Sequence, residues 1–80
     1  MTFENNWVEK EGRITKNYEF DDFKSALVFV NKIGKLADEI GHHPDITFGW
    51  GYVHVSIYTH DQPKITQKDW DLAELIDKLI

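Results

Sequence analysis

The chain is predicted to fold as a single α+β domain of order β-β-α-β-β-α, a four-stranded antiparallel sheet with two helices packed on one face. Three observations predict it. Arg13 to Phe20 and Tyr52 to Tyr58 alternate apolar and polar side chains at period two, as half-buried strands do. Phe23 to Ile40 and Gln67 to Ile80 space their apolar residues three and four apart, as amphipathic helices do. Turn residues punctuate the joints: Glu11-Gly12, Gly41 with Pro44, and Trp50-Gly51. Eighty residues, 1–80, make one domain with no linker, long repeat or low-complexity stretch.

Taken in order, Trp7-Val8-Glu9-Lys10 reads as a short strand, and Glu11-Gly12 turns it into the strand Arg13 to Phe20. Ile14, Tyr18 and Phe20 share one parity there; Lys16 breaks it, which places the strand's centre toward a rim. Asp21-Asp22 offers an N-cap and negative charge for a helix start. Phe23, Ala26, Leu27, Val30, Ile33, Ala37 and Ile40 form the stripe of a helix of about five turns. Phe29 and Leu36 fall off that stripe and predict a second buried surface, against another subunit. Gly41 suits the residue that closes the helix, and Pro44 pushes His43 into an extended backbone.

Two strands then fold about Trp50-Gly51, where Gly51 supplies the positive φ a hairpin needs. That turn sets Gly49 opposite Tyr52 and Thr47 opposite His54. Val53, Val55 and Ile57 share one face; Tyr52, His54, Ser56 and Tyr58 share the other, a face fit for half-exposure or for a partner. Asp61 to Lys64 is a loop. Thr66 and Asp69 stand at capping-box spacing, with Asp in place of Glu, so the second helix starts near Gln67 and runs to the end. Trp70, Ala73, Ile76, Asp77 and Ile80 form one line on it, with Leu72, Leu75 and Leu79 beside.

Bulk composition excludes several classes. A formal charge of −5 gives no basic footprint for nucleic acid. The absence of cysteine removes disulfides, thiolate nucleophiles and Cys-based zinc sites. No apolar run approaches the roughly 20 residues of a membrane span, and the first residues carry no basic start or apolar signal. A cytoplasmic setting is the expectation.

The histidines carry the chemistry. Three of four lie in two segments, Asp38 to Pro44 and Tyr58 to Asp61, which the hairpin brings together. His42, His43 and His60 are expected to meet on one rim, with Asp38, Asp61 and Asp69 nearby. Imidazoles titrate near neutral pH, so a cluster supplies an acid and a base at once. Asp38, four residues before His42, could reach its ring. The bland alternative is a solvated loop whose rings cap helix carbonyls. Zinc competes as well, although adjacent histidines on an extended backbone point apart, so only one of His42 and His43 could join His60 and an aspartate. His54 sits mid-strand and reads as packing or interface. Trp50 suits a hairpin staple or a stacking surface, Trp70 the core, and Lys64 and Lys68 solvent. Lys32-Ile33-Gly34-Lys35 lacks the context of a phosphate loop.

The spacing of Asp38, His42-His43-Pro44, Trp50, His60 and Asp69-Trp70 resembles the signature of the pterin-4a-carbinolamine dehydratases, and Thr59-His60-Asp61 and Tyr18 to Phe23 resemble that family too. The resemblance runs from Trp7 to the C-terminus. It implies dehydration of 4a-hydroxytetrahydropterin to quinonoid dihydropterin, recycling the tetrahydropterin, with no metal or other cofactor. It implies that His42, His43 and His60 are catalytic, and that Asp38, Gly41, Tyr58, Thr59 and Asp69 belong to the substrate site. It further implies a homodimer or homotetramer, with a small-molecule pterin as substrate and neither nucleic acid nor membrane as direct partner. The competing reading is a non-catalytic, homo-oligomeric binding or dimerisation module of the same fold. Two departures stand out. Asp38 occupies a position that is often Glu, which shortens its reach. Only six residues precede Trp7, so the N-terminal helix of many members is expected to be missing or reduced.

Overall fold

The computed structural model describes residues 6–59 and 64–80. Elements follow the predicted order: β1 (Val8–Lys10), β2 (Arg13–Glu19), α1 (Phe23–Ile40), β3 (Asp45–Gly49), β4 (Tyr52–Ile57) and α2 (Gln67–Asp77). The strands form one antiparallel sheet in the spatial order β1-β2-β4-β3. Both hairpins turn where small or polar residues allow left-handed backbone. Glu11 and Gly12 have φ of 55° and 80°, and Gly51 has 83°. Gly51 also sits close under β2's end, its carbonyl accepting from the Phe20 N–H at 2.9 Å.

Register sorts the faces. Ile14 pairs with Ile57, Tyr18 with Val53, Ile46 with Val55 and Phe48 with Val53, all pointing to one side. Thr47 stands opposite His54 and Gly49 opposite Tyr52, as the turn predicted. Ile14, Val53, Val55 and Ile57 are fully buried against Ala26, Phe29 and Ile33 of α1 and Leu72, Ala73 and Ile76 of α2. Both helices therefore share one core on one face of the sheet.

Helix α1 begins as read: Asp22 is extended, and its carboxylate accepts from the Ser25 N–H at 2.8 Å. It ends at Gly41, whose φ is 73° and whose N–H bonds the Ala37 carbonyl at 2.9 Å. Its rotation differs from the expected stripe. The inward line is Ala26, Phe29, Ile33 and Ala37, so Phe29 is core, edge-on to Tyr18 and tilted against Phe20 at 4.7 and 5.2 Å between centroids. Leu36 is half-buried against the same core. Phe23, Leu27 and Ile40 are partly exposed instead. Apolar residues ring most of this helix, and a ring that wide does not dictate which meridian faces the sheet.

Lys16 is the second correction. Its stem points to the helix side, and its ammonium reaches Asp77 of α2 at 2.9 Å instead of a solvent rim. Helix α2 opens with the predicted capping box, the Thr66 N–H donating to Asp69 Oδ2 at 2.8 Å. It stops at Asp77, short of the chain end, and leaves Ile80 exposed. No helix among the described residues is long and apolar enough to cross a membrane.

Candidate active site

Gly41 lets the chain leave α1 sharply, and Pro44 leads it into β3 in extended form. The two histidines between them diverge. His42 turns inward, its side chain 14% exposed, and its Nε2 lies 2.7 Å from Asp69 Oδ1. His43 turns outward, and its Nε2 lies 2.9 Å from Asp38 Oδ1, both side chains well exposed. Asp38 thus serves His43, not His42 as the four-residue spacing suggested. The αL backbone at Gly41 breaks the helical geometry on which that spacing depends.

Asp69 is fully buried. It anchors a network. Its carboxylate accepts from the Thr66 N–H at 2.8 Å and from the Thr59 hydroxyl at 3.0 Å on Oδ2, and it meets His42 on Oδ1. The Thr66 and Thr59 hydroxyls lie 3.0 Å apart. Burial pushes the Asp69 carboxyl upward, but the Thr66 N–H, the His42 ring and the Thr59 hydroxyl together outweigh it and hold the group below the usual carboxylate range. The positive end of α2 favours the same charge.

A cavity of about 320 Å³ opens beside this network, lined by Ile40, Gly41, His42, Lys68, Asp71 and Leu75. A larger cleft of about 370 Å³ lies between α1 and the C-terminal residues, among Val28, Phe29, Lys32, Leu79 and Ile80. Its described lining contains no imidazole or side-chain carboxylate, so of these two the smaller cavity is better equipped for proton chemistry.

The predicted site residues are distributed accordingly. His42 and Gly41 line the cavity, Thr59 and Asp69 stand behind His42, and His43 with Asp38 faces outward. Tyr58 lies under the Arg13 guanidinium, 4.3 Å from its ring centroid. His60 and Asp61 lie outside the described residues, so the full three-histidine rim does too. Among the described residues, no three His, Asp or Glu side chains converge as a metal cage would require. Lys68, read from the sequence as solvated, lines the cavity with His42, as does Asp71. Their places in the first turns of α2 were legible, but not which end of α1 that turn would meet.

Comparison with known proteins points to a family. The model of a family described as pterin 4 alpha carbinolamine dehydratase matches residues 1–79. A relative from Rubrobacter xylanophilus, provisionally named a pterin-4-alpha-carbinolamine dehydratase, is 40% identical over 72 residues, 90% of this chain and 67% of its own. One from a Roseiflexus strain, provisionally named likewise, is 42% identical over 92% of this chain and 80% of its own. Among solved structures, one described as a transcriptional coactivator/pterin dehydratase from Brucella melitensis superposes with a TM-score of 0.83. It is 27% identical over 91% of this chain and 80% of the other. A pterin dehydratase-like protein described as a RuBisCO assembly factor of the alpha-carboxysome has a TM-score of 0.77 at 23% identity, covering 92% of this chain and 86% of its own. That second likeness is one of fold.

Proposed function

Because the chain belongs to the pterin-4a-carbinolamine dehydratase family, we propose that it dehydrates 4a-hydroxytetrahydropterin to quinonoid dihydropterin by histidine acid–base catalysis, recycling tetrahydropterin in the cytoplasm. The observation that carries the proposal is His42, backed by a buried carboxylate and lining a cavity, in a chain of this family. The reaction removes a hydroxyl from C4a and a proton from N5. It therefore asks for one group that donates a proton and one that accepts, each contributing about 10²–10⁴-fold. We assign this pair to His42 and His60. Thr59, the residue before His60, is hydrogen-bonded to the carboxylate that holds His42, which supports the pairing. His43 and Asp38 are assigned to binding and orienting the pterin at the cavity's outer edge. No cofactor enters this scheme.

Stopped-flow measurement of 4a-hydroxytetrahydropterin decay tests it. The wild-type chain should accelerate the decay, and His42→Ala should lose about 10²-fold or more of that rate. A wild-type chain that leaves the decay at its spontaneous rate refutes the proposal.

A second reading has its own observation. Phe23, Leu27, Val28 and Ile40 of α1 are 46%, 38%, 46% and 44% exposed, more apolar helix surface than a small monomer needs. We propose that a homodimer or homotetramer covers them, whether or not the chain turns over pterin. Sedimentation velocity decides this: an oligomer that Leu27→Lys disperses supports it, and a wild-type monomer at micromolar concentration refutes it. A non-catalytic module would keep its assembly in His42→Ala and show no dehydration in either form.

A further inference from the structure

We propose that Asp69 is a positioning residue that fixes His42 as the Nε2–H tautomer, so that Nδ1 is the atom that takes the pterin's N5 proton. This rests on the dehydratase reading and deepens it. The family resemblance placed Asp69 in the substrate site, and the geometry sets it behind His42. The residue is 0% exposed, and both its oxygens are engaged within the protein.

Directions along the network are forced. A hydroxyl has one hydrogen. Thr59 gives its hydrogen to Asp69 Oδ2 at 3.0 Å, so across the 3.0 Å contact between the two threonines it accepts from Thr66. The Thr66 N–H is a donor and points at Asp69 Oδ2. The Thr66 N–H and the Thr59 hydroxyl both donate to this carboxylate, which favours the ionised form, and an ionised carboxylate only accepts. The hydrogen in the 2.7 Å contact therefore sits on His42 Nε2. Nε2 is committed to the buried side, and His42 is among the residues that line the cavity, with Gly41 and Lys68. Nδ1 is the nitrogen left for a ligand.

The balance of the step follows. The Nδ1 lone pair takes the proton from N5. The N–H bonding pair becomes the N5–C4a double bond. The C4a–O pair leaves with oxygen, which takes a proton from a second imidazole in its protonated form, leaving that ring neutral, and departs as water. His42 then carries a positive charge, and the carboxylate 2.7 Å behind it stabilises that charge as it forms. The outward pair contrasts with this one. His43 and Asp38 are 57% and 81% exposed at their side chains, so water competes for both and no tautomer is imposed.

The test reads the tautomer directly. In protein labelled with ¹⁵N at histidine, long-range proton–nitrogen correlations at a pH where His42 is neutral should show Nε2 protonated and Nδ1 bare. A protonated Nδ1, or an even mixture, overturns the proposal even if no variant folds. Asp69→Asn supplies the second arm. Its amide can donate or accept, so the His42 signals should move toward a mixture while those of His43 stay in place. The mutant's kcat should fall about 10²-fold or more with KM within a few-fold. A KM rise at constant kcat would mean Asp69 acts through binding and would overturn the positioning role. Wild-type protein with the Nε2–H tautomer but no dehydration rate would sink the dehydratase reading and leave the hold of Asp69 on His42 standing.

Discussion

Replacing Asp77 with alanine is predicted to cost this protein about 3 kcal/mol of stability without touching the site. Three donors converge on that carboxylate: the Trp7 indole N–H at 3.1 Å, the Lys16 ammonium at 2.9 Å and the Tyr18 hydroxyl. Together they tie β1 and β2 to the last turn of α2. The Lys16 and Asp77 side chains are 16% and 27% exposed, which removes the pair from the class of screened surface ion pairs. A hydrogen bond to a charged group contributes about 1.5–3 kcal/mol, and three at the low end sum to about 4.5 kcal/mol. The sum is an upper figure. Bonds sharing one acceptor are not additive, and the Lys16 ammonium keeps a partial route to water along its stem.

A domain of this length is stable by about 4–12 kcal/mol, so a loss of 3 is a large share. At about 4–8 °C per kcal/mol the thermal midpoint should fall by about 12–24 °C. Urea unfolding followed by tryptophan fluorescence measures it, since Trp7 is itself a partner. Asp77→Asn keeps one acceptor oxygen, enough for Trp7 or for Tyr18 since the two donate to different oxygens, and removes the counter-charge of Lys16, so it should fall between wild type and Asp77→Ala. A loss below about 1 kcal/mol for the alanine variant would place the cluster with ordinary surface pairs and refute the argument.

Stability should also decline on both sides of neutral pH, for opposite reasons. Burial, the hydrogen bond to Asp77 and the charge of Asp77 push the Tyr18 phenol above its ordinary value. A raised group contributes fully below the unfolded pKa of about 10 and loses that contribution as pH rises beyond it; Tyr18→Phe should flatten the alkaline limb of urea midpoints. Asp69 is shifted down, so its contribution is complete above the unfolded value of about 3.9 and fades as pH falls through the folded one. Asp69→Asn should accordingly unfold less steeply with acid than wild type. Gly51→Ala should cost about 1–2 kcal/mol in the same urea assay, because φ is 83° and a Cβ there would lie 3.2 Å from the Phe20 carbonyl oxygen.

The element order, both helix starts, the Gly41 terminus and the hairpin register were all written in local chemistry. Each depends on residues a few positions apart: Asp22 with Ser25, Thr66 with Asp69, Trp50 with Gly51. What escaped depended on residues far apart. Lys16 looked misplaced on an apolar parity until α2 brought Asp77 to it, 61 positions away. The rotation of α1 escaped because its apolar residues surround it, and only the sheet decides that Phe29 turns inward. Asp69 was read correctly as a cap, yet its second partner, His42, is 27 positions distant. The histidine pair itself was legible. The assignment of its carboxylates was not, because a single left-handed residue at Gly41 redirects both rings.

That redirection explains how two identical neighbours acquire unlike surroundings. In sequence His42 and His43 are interchangeable. In the fold, the extended backbone before Pro44 sends consecutive side chains to opposite sides, and only one side holds the start of α2. There Asp69 already accepts from the backbone as a helix cap, and the helix end favours its negative charge. One carboxylate therefore serves as cap and as support for His42, so the network that starts the helix also holds the ring beside the cavity. A histidine sent the other way meets an exposed aspartate and water, a setting suited to touching a ligand and poorly suited to holding a tautomer. The unlike surroundings of the two rings are thus a consequence of where a helix begins.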